Sequence, residues 1–143
     1  MHDHYIYDYA IIRIVPKVER EEFINVGVIL SCPAKEFLES RIDLDESRLA
    51  ALDATLDIEF IRTHLATIPA ICKGGDEAGK IGELTQRERF YWLTSASSTI
   101  IQTSPVHTGW CKDPDVALER LLNTMVRPSR CKTYGDDNPA SEA

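Results

Sequence analysis

Apolar and polar residues alternate through residues 7–30, YDYAIIRIVPKVEREEFINVGVIL, and this alternation sets the first two elements. Strand side chains point to opposite faces with a period of two. Ala10, Ile12 and Ile14 therefore share one face, and Ile11, Arg13 and Val15 share the other. β-Branched residues dominate, as a pleated, buried surface favours. Pro16 lacks a backbone donor and ends the run. The second run places Ile24, Val26, Val28 and Leu30 on one face, and Asn25, Gly27 and Ile29 on the other. The two runs predict a hairpin across a charged connection of Lys17, Glu19, Arg20, Glu21 and Glu22. Residues 32–35 read as a turn. Residues 36–43 alternate again, with Phe37, Glu39 and Arg41 against Leu38, Ser40 and Ile42, so a three-stranded antiparallel meander is expected.

Beyond residue 44 the period lengthens. Leu49 and Leu52 fall at helical spacing, as do Ile58, Ile61, Leu65 and Ile68. Asp45 and Asp57 suit the N-caps of these two helices, and Pro69 is placed near the end of the second. Residues 73–82, KGGDEAGKIG, form a loop. Thr85 opens a further helix, with Glu88 completing a capping box and Phe90 and Leu93 facing inward. Residues 99–103 read as another strand, and residues 104–110 as an irregular polar loop. Asp113-Pro114 starts a last helix with Leu118, Leu121, Leu122 and Met125 on its apolar face, and Pro128 stops it. The fold expected is α+β: an antiparallel sheet led by the N-terminal hairpin, with three to five helices packed on one side. Residues 1–128 make one domain, and residues 129–143 are expected to form a disordered polar tail.

Composition narrows the function classes. With 43% hydrophobic and 27% charged residues, the 143-residue chain is an ordinary globular sequence. Its net charge of −7 comes from 16 basic and 23 acidic residues, and the basic ones are scattered among acids. That disfavours nucleic acid as a partner. No apolar run approaches membrane-spanning length, and the opening Met-His-Asp-His-Tyr has no leader pattern. No membrane association and a cytoplasmic location are therefore expected. Cys32, Cys72, Cys111 and Cys131 are widely spaced and read as free thiols.

The motifs with a familiar chemistry are weak. Residues 74–80 match the spacing G-x-x-x-x-G-K, but Ile81 replaces the magnesium-binding hydroxyl, and Asp76 and Glu77 put negative charge where phosphate belongs. His107 and Cys111 are separated by Gly109, and no paired zinc spacing occurs. There is no G-x-S-x-G, and no cysteine has a base beside it. No cofactor and no metal are expected.

What remains is a polar surface. If the cleaner apolar rows face the core, Arg13 and Asn25 emerge together beside Gly27, which lets a helix, a partner chain or a ligand come close. Residues 98–110 add Ser98, Thr99, Gln102, Thr103, Ser104, His107 and Thr108, with Trp110 as an aromatic anchor. The first reading is a non-catalytic interaction module using both stretches. The second is a small hydrolase or phosphoryl-transfer enzyme. There Arg13 stabilises an anion, Glu19 or Glu22 acts as base or holds a metal, and Asn25 orients substrate.

Residues 7–10 (YDYA) with Arg13 and Pro16, residues 19–28 (EREEFINVGV), Phe90 with Leu93, and residues 98–105 (STIIQTSP) with Thr108-Gly109 resemble a bacterial family, domain-of-unknown-function family 3037. The resemblance runs from about Tyr5 to Arg127. It implies, by gene neighbourhood, a partner or modulator role beside a HipA-like kinase-related protein, and it supplies no catalytic residues. Self-association is compatible with the same reading.

Overall fold

The computed structural model describes residues 4–95 and 100–128. The expected tail at 129–143, and Ser98 and Thr99 of the polar stretch, lie outside them. Three strands form the meander: β1 (Tyr5–Ile14), β2 (Ile24–Cys32) and β3 (Phe37–Ile42). Helices α1 (Glu46–Leu52), α2 (Ile58–Leu65) and α3 (Thr67–Lys73) follow. Two short 3-10 turns across Asp76–Glu83 lead into α4 (Gln86–Ser95). The chain then returns to the sheet as β4 (Ile101–Thr103) and β5 (His107–Cys111), and ends in α5 (Pro114–Leu121) with a π-helical turn, Leu122–Val126. The sheet is antiparallel, with order β3-β2-β1, and β4 and β5 pair in succession along the remaining edge of β1. The architecture is α+β.

Local signals set most boundaries. Asp45, Asp57 and Asp113 each accept a backbone N–H of the first helical turn. Thr85 and Glu88 form the reciprocal capping box, each side chain bonding the other's backbone N–H at 3.1 and 2.9 Å. Pro69 does not stop a helix. It sits in the first turn of α3, where its missing N–H has no intrahelical partner to lose.

The helices cover both faces of the sheet rather than one. Ile12, Ile14, Ile24, Val26 and Ile29 pack with Leu49, Ile61, Leu65, Ile68 and Phe90 on the α1–α4 side. Tyr7, Ile11, Val28, Leu30 and Cys32 pack with Leu118, Leu121 and Leu122 on the α5 side. β1 and β2 are apolar on both faces, as strands covered on both sides must be. One extra residue in β2 links the two layers. Ile12 pairs with Gly27, but Arg13 pairs with Asn25, so Val26 is bulged out of register. The bulge divides the row expected on one face: Val28 and Leu30 turn toward α5, and Ile24 and Val26 toward α1–α4.

Residues 107–111 also depart from the sequence reading: they form a strand, not a loop. Gly109 sits beneath the Tyr7 ring, where a Cβ would come within 2.6 Å of the Tyr7 hydroxyl oxygen. That hydroxyl in turn accepts from Arg120 at 3.0 Å. The missing side chain lets Tyr7 lie across β5 and tie it to α5.

Candidate functional site

The bulge brings Asn25 of β2 opposite Arg13. On the central strand Arg13 lies between Asn25 of β2 and Gln102 of β4, so three polar residues stand in one cross-strand row. Phe23, just before β2 and 45% exposed, backs the guanidinium, whose carbon lies 4.0 Å from the ring centroid. Asn25 donates to the Met125 carbonyl at 3.0 Å, which fixes its amide against the end of the last helix. Arg13 Nε and Asn25 Oδ1 are buried without a hydrogen-bond partner. An unsatisfied buried donor beside an unsatisfied buried acceptor is costly to leave in a fold.

Arg13 is also unlike the other described arginines. Arg20, Arg41, Arg62, Arg87 and Arg127 pair with carboxylates. Arg48, Arg89 and Arg120 donate to Val126, Ile71 and Tyr7 respectively. Arg13 has the Phe23 ring and, among the described residues, no carboxylate.

The other expected site residues fall elsewhere. Gly27 is not part of this surface: a Cβ there would meet the Arg41 carbonyl at 2.7 Å and Ile12 and Ile42 at 3.0 Å. Its bareness lets β3 and the α1–α4 core close over β2. Glu19 lies on the exposed 3-10 turn Val18–Arg20. Glu22 is bonded to Arg20 at 2.7 Å, and that hydrogen bond holds its carboxyl below the usual range, the reverse of what a general base needs. Ser104 is buried, accepting from Ile11 N–H and donating to the Pro105 carbonyl, each within 2.9 Å. It carries the edge of the sheet across the gap between β4 and β5. His107 pairs with Tyr9, their ring centroids 5.4 Å apart, and Trp110 pairs with Ile6. At about 3.3 Å per residue, these positions lie roughly 13 and 23 Å along β1 from Arg13. Trp110 follows the opposite face, beside Asp8. The hairpin row and the β5 residues are two surfaces.

A second polar row was missed from sequence. Ser31, Asp8 and Thr108 align across β2, β1 and β5, and Arg87 of α4 clamps them. It donates to Asp8 at 2.5 Å and to Ser31 at 2.9 Å, while Thr108 donates to Asp8 at 2.7 Å. Burial pushes the Asp8 carboxyl up, but the bonds from Arg87 and Thr108 outweigh it and leave it below the usual value. An acid in the otherwise apolar row Asp8, Ala10, Ile12, Ile14 was the available signal; its partner 79 residues away gave none. Because the folded value is depressed, the pair contributes stability at neutral pH and loses it as Asp8 protonates. In urea unfolding, the gap between wild type and Arg87→Gln is expected to be widest near neutral pH and to narrow below about pH 4. A gap that stays constant would remove the ion pair from the account.

The motif-like features carry little chemistry. Residues 74–80 follow a helix and close on themselves, Gly75 N–H donating to the Gly82 carbonyl at 3.1 Å. Arg89 lies against Gly74 and caps the carbonyls of Ile71 and Cys72. Burial pushes the Cys72 thiol up to about 11, and it also raises Cys111, so neither offers a thiolate at neutral pH. No group of three or more potential metal ligands occurs among the described residues. No helix among them is long and apolar enough to cross a membrane.

No curated protein and no solved structure matches the chain. A family model described as Protein of unknown function (DUF3037) does match, over residues 9–126, a span that holds Arg13, Asn25 and Gln102, and the chain belongs to that family.

Proposed function

We propose that the chain is a non-catalytic interaction module that receives an acidic group of a partner protein on Arg13. The reading rests on one observation: this guanidinium is backed by Phe23 and flanked by Asn25, yet faces no carboxylate among the described residues of a chain carrying 23 acids. Stacking holds the side chain in place before anything binds, so less rotamer entropy is lost on binding. A carboxylate can then take two N–H bonds from the guanidinium's outer edge. The kinase-related neighbour implied by the family resemblance is the first partner to test, in a bacterial cytoplasm.

The enzymatic alternative gains no support. It needs a carboxylate beside Arg13, and Glu22 is held by Arg20.

Tagged chain purified from its native host, as wild type and as Arg13→Glu, tests the proposal. The expected result is a stoichiometric companion with wild type, identified by mass spectrometry and absent from the variant. Recovery of the wild-type chain alone, or a companion indifferent to the substitution, would overturn it.

A further inference from the structure

Among the described residues, nothing pairs with the outer edge of β5. His107–Cys111 pairs with β1 on one side, and its residues make no other backbone hydrogen bond among the described residues. Folded proteins commonly protect such an edge with charges, proline or a covering element. Here Pro105 and Lys112 flank the strand, but between them His107, Thr108, Gly109 and Trp110 carry no acid. Large apolar groups lie beside the edge instead. Trp110 is 65% exposed and its cross-strand neighbour Ile6 is 49% exposed. Together they border an open cleft of about 540 Å³ whose floor reaches Arg87 and Asp8.

We propose that this edge pairs with the same edge of a second copy of the chain, extending the sheet antiparallel across a two-fold axis at Gly109. An antiparallel edge is its own complement under such an axis, because each outward N–H meets the other copy's C=O. With Gly109 opposite Gly109, Thr108 stands opposite Trp110 of the second copy. The two tryptophans then lie diagonally on one face, each covering the other copy's Thr108 while its own Ile6 packs behind it. Charge selects the place. A chain of net charge −7 repels its copy wherever acids meet, and this strip has none; the nearest acid, Asp8, is already paired with Arg87. The surface lies toward the opposite end of β1 from Arg13, so the dimer does not depend on the proposed function and leaves that site free.

The test is sedimentation of the full chain over a concentration series. Wild type is expected to show a reversible monomer–dimer equilibrium, with alternate β5 amides gaining protection from hydrogen exchange as concentration rises. Trp110→Glu places like charges together on an exposed position and is expected to raise the dimer dissociation constant about a hundredfold or more. Mixing Trp110→Glu with Trp110→Lys is expected to restore a mixed dimer. A wild type that stays monomeric at several hundred micromolar overturns the proposal. So does a dimer unmoved by Trp110→Glu, or one whose β5 amides exchange as in the monomer.

Discussion

Phe90→Ala is expected to lower the free energy of unfolding by about 3–5 kcal/mol, the range for removing a buried aromatic ring. Phe90 is fully buried at the centre of the cluster that joins α4 to β1, β2, α1 and α2. The hole cannot be closed cheaply. On one side stands the continuous sheet. On the other, α4 is fixed at its N-terminus by the capping box and by the Arg87 bonds to Asp8 and Ser31. Part of the cost is electrostatic, because the Arg87 guanidinium carbon lies 5.2 Å from the ring centroid. Urea unfolding followed by circular dichroism measures the effect. A loss under about 1 kcal/mol would mean that α4 is not anchored where it is described.

Leu118→Ala is expected to cost about 2–5 kcal/mol for the same reason on the opposite face. Leu118 is fully buried against Tyr7, Val28, Leu30 and Cys32. The comparison tests the two-sided architecture. If α5 were a peripheral appendage, truncating its inward leucine would change little, whereas Phe90→Ala would still be severe. Met125→Ala is the internal control: Met125 is 43% exposed and should cost well under 1 kcal/mol.

The hairpin, the third strand and the helix starts were legible because their signals are local. Alternation, a proline at a strand end and an aspartate before a helix act within a few residues. The second packed face was harder to see. Alternation puts Ile11 with Arg13 on the outward face and Val28 and Leu30 with Ile24 and Val26 on the core face, and only the bulge at Val26 shows that β2 serves two cores. β5 was hidden because Gly109 interrupts a short polar run in which only Thr108 and Trp110 favour a strand. What makes it a strand is Tyr7 folded over Gly109, a contact 102 residues away in sequence.

The candidate site divides the same way. The pairing of Arg13 with Asn25 follows from strand period and hairpin geometry, and the structure gives it in register. Gly27 was expected beside them, but the bulge puts it under β3 instead. Ser104 read as a surface donor because a serine before a proline looks like a turn. Its role in closing the sheet edge depends on Ile11, 93 residues earlier. The Asp8–Arg87 clamp depends on a helix–sheet contact that no spacing encodes.

On the proposed reading, Arg13 serves something outside the fold. Unfolding of Arg13→Met tests this most directly, because methionine keeps an apolar contact with Phe23 and removes only the charge. A stability within about 1 kcal/mol of wild type is expected, since no carboxylate among the described residues is left unpaired. A loss of about 3–5 kcal/mol, the cost of breaking a buried ion pair, would show that the guanidinium holds the fold together and would contradict the claim.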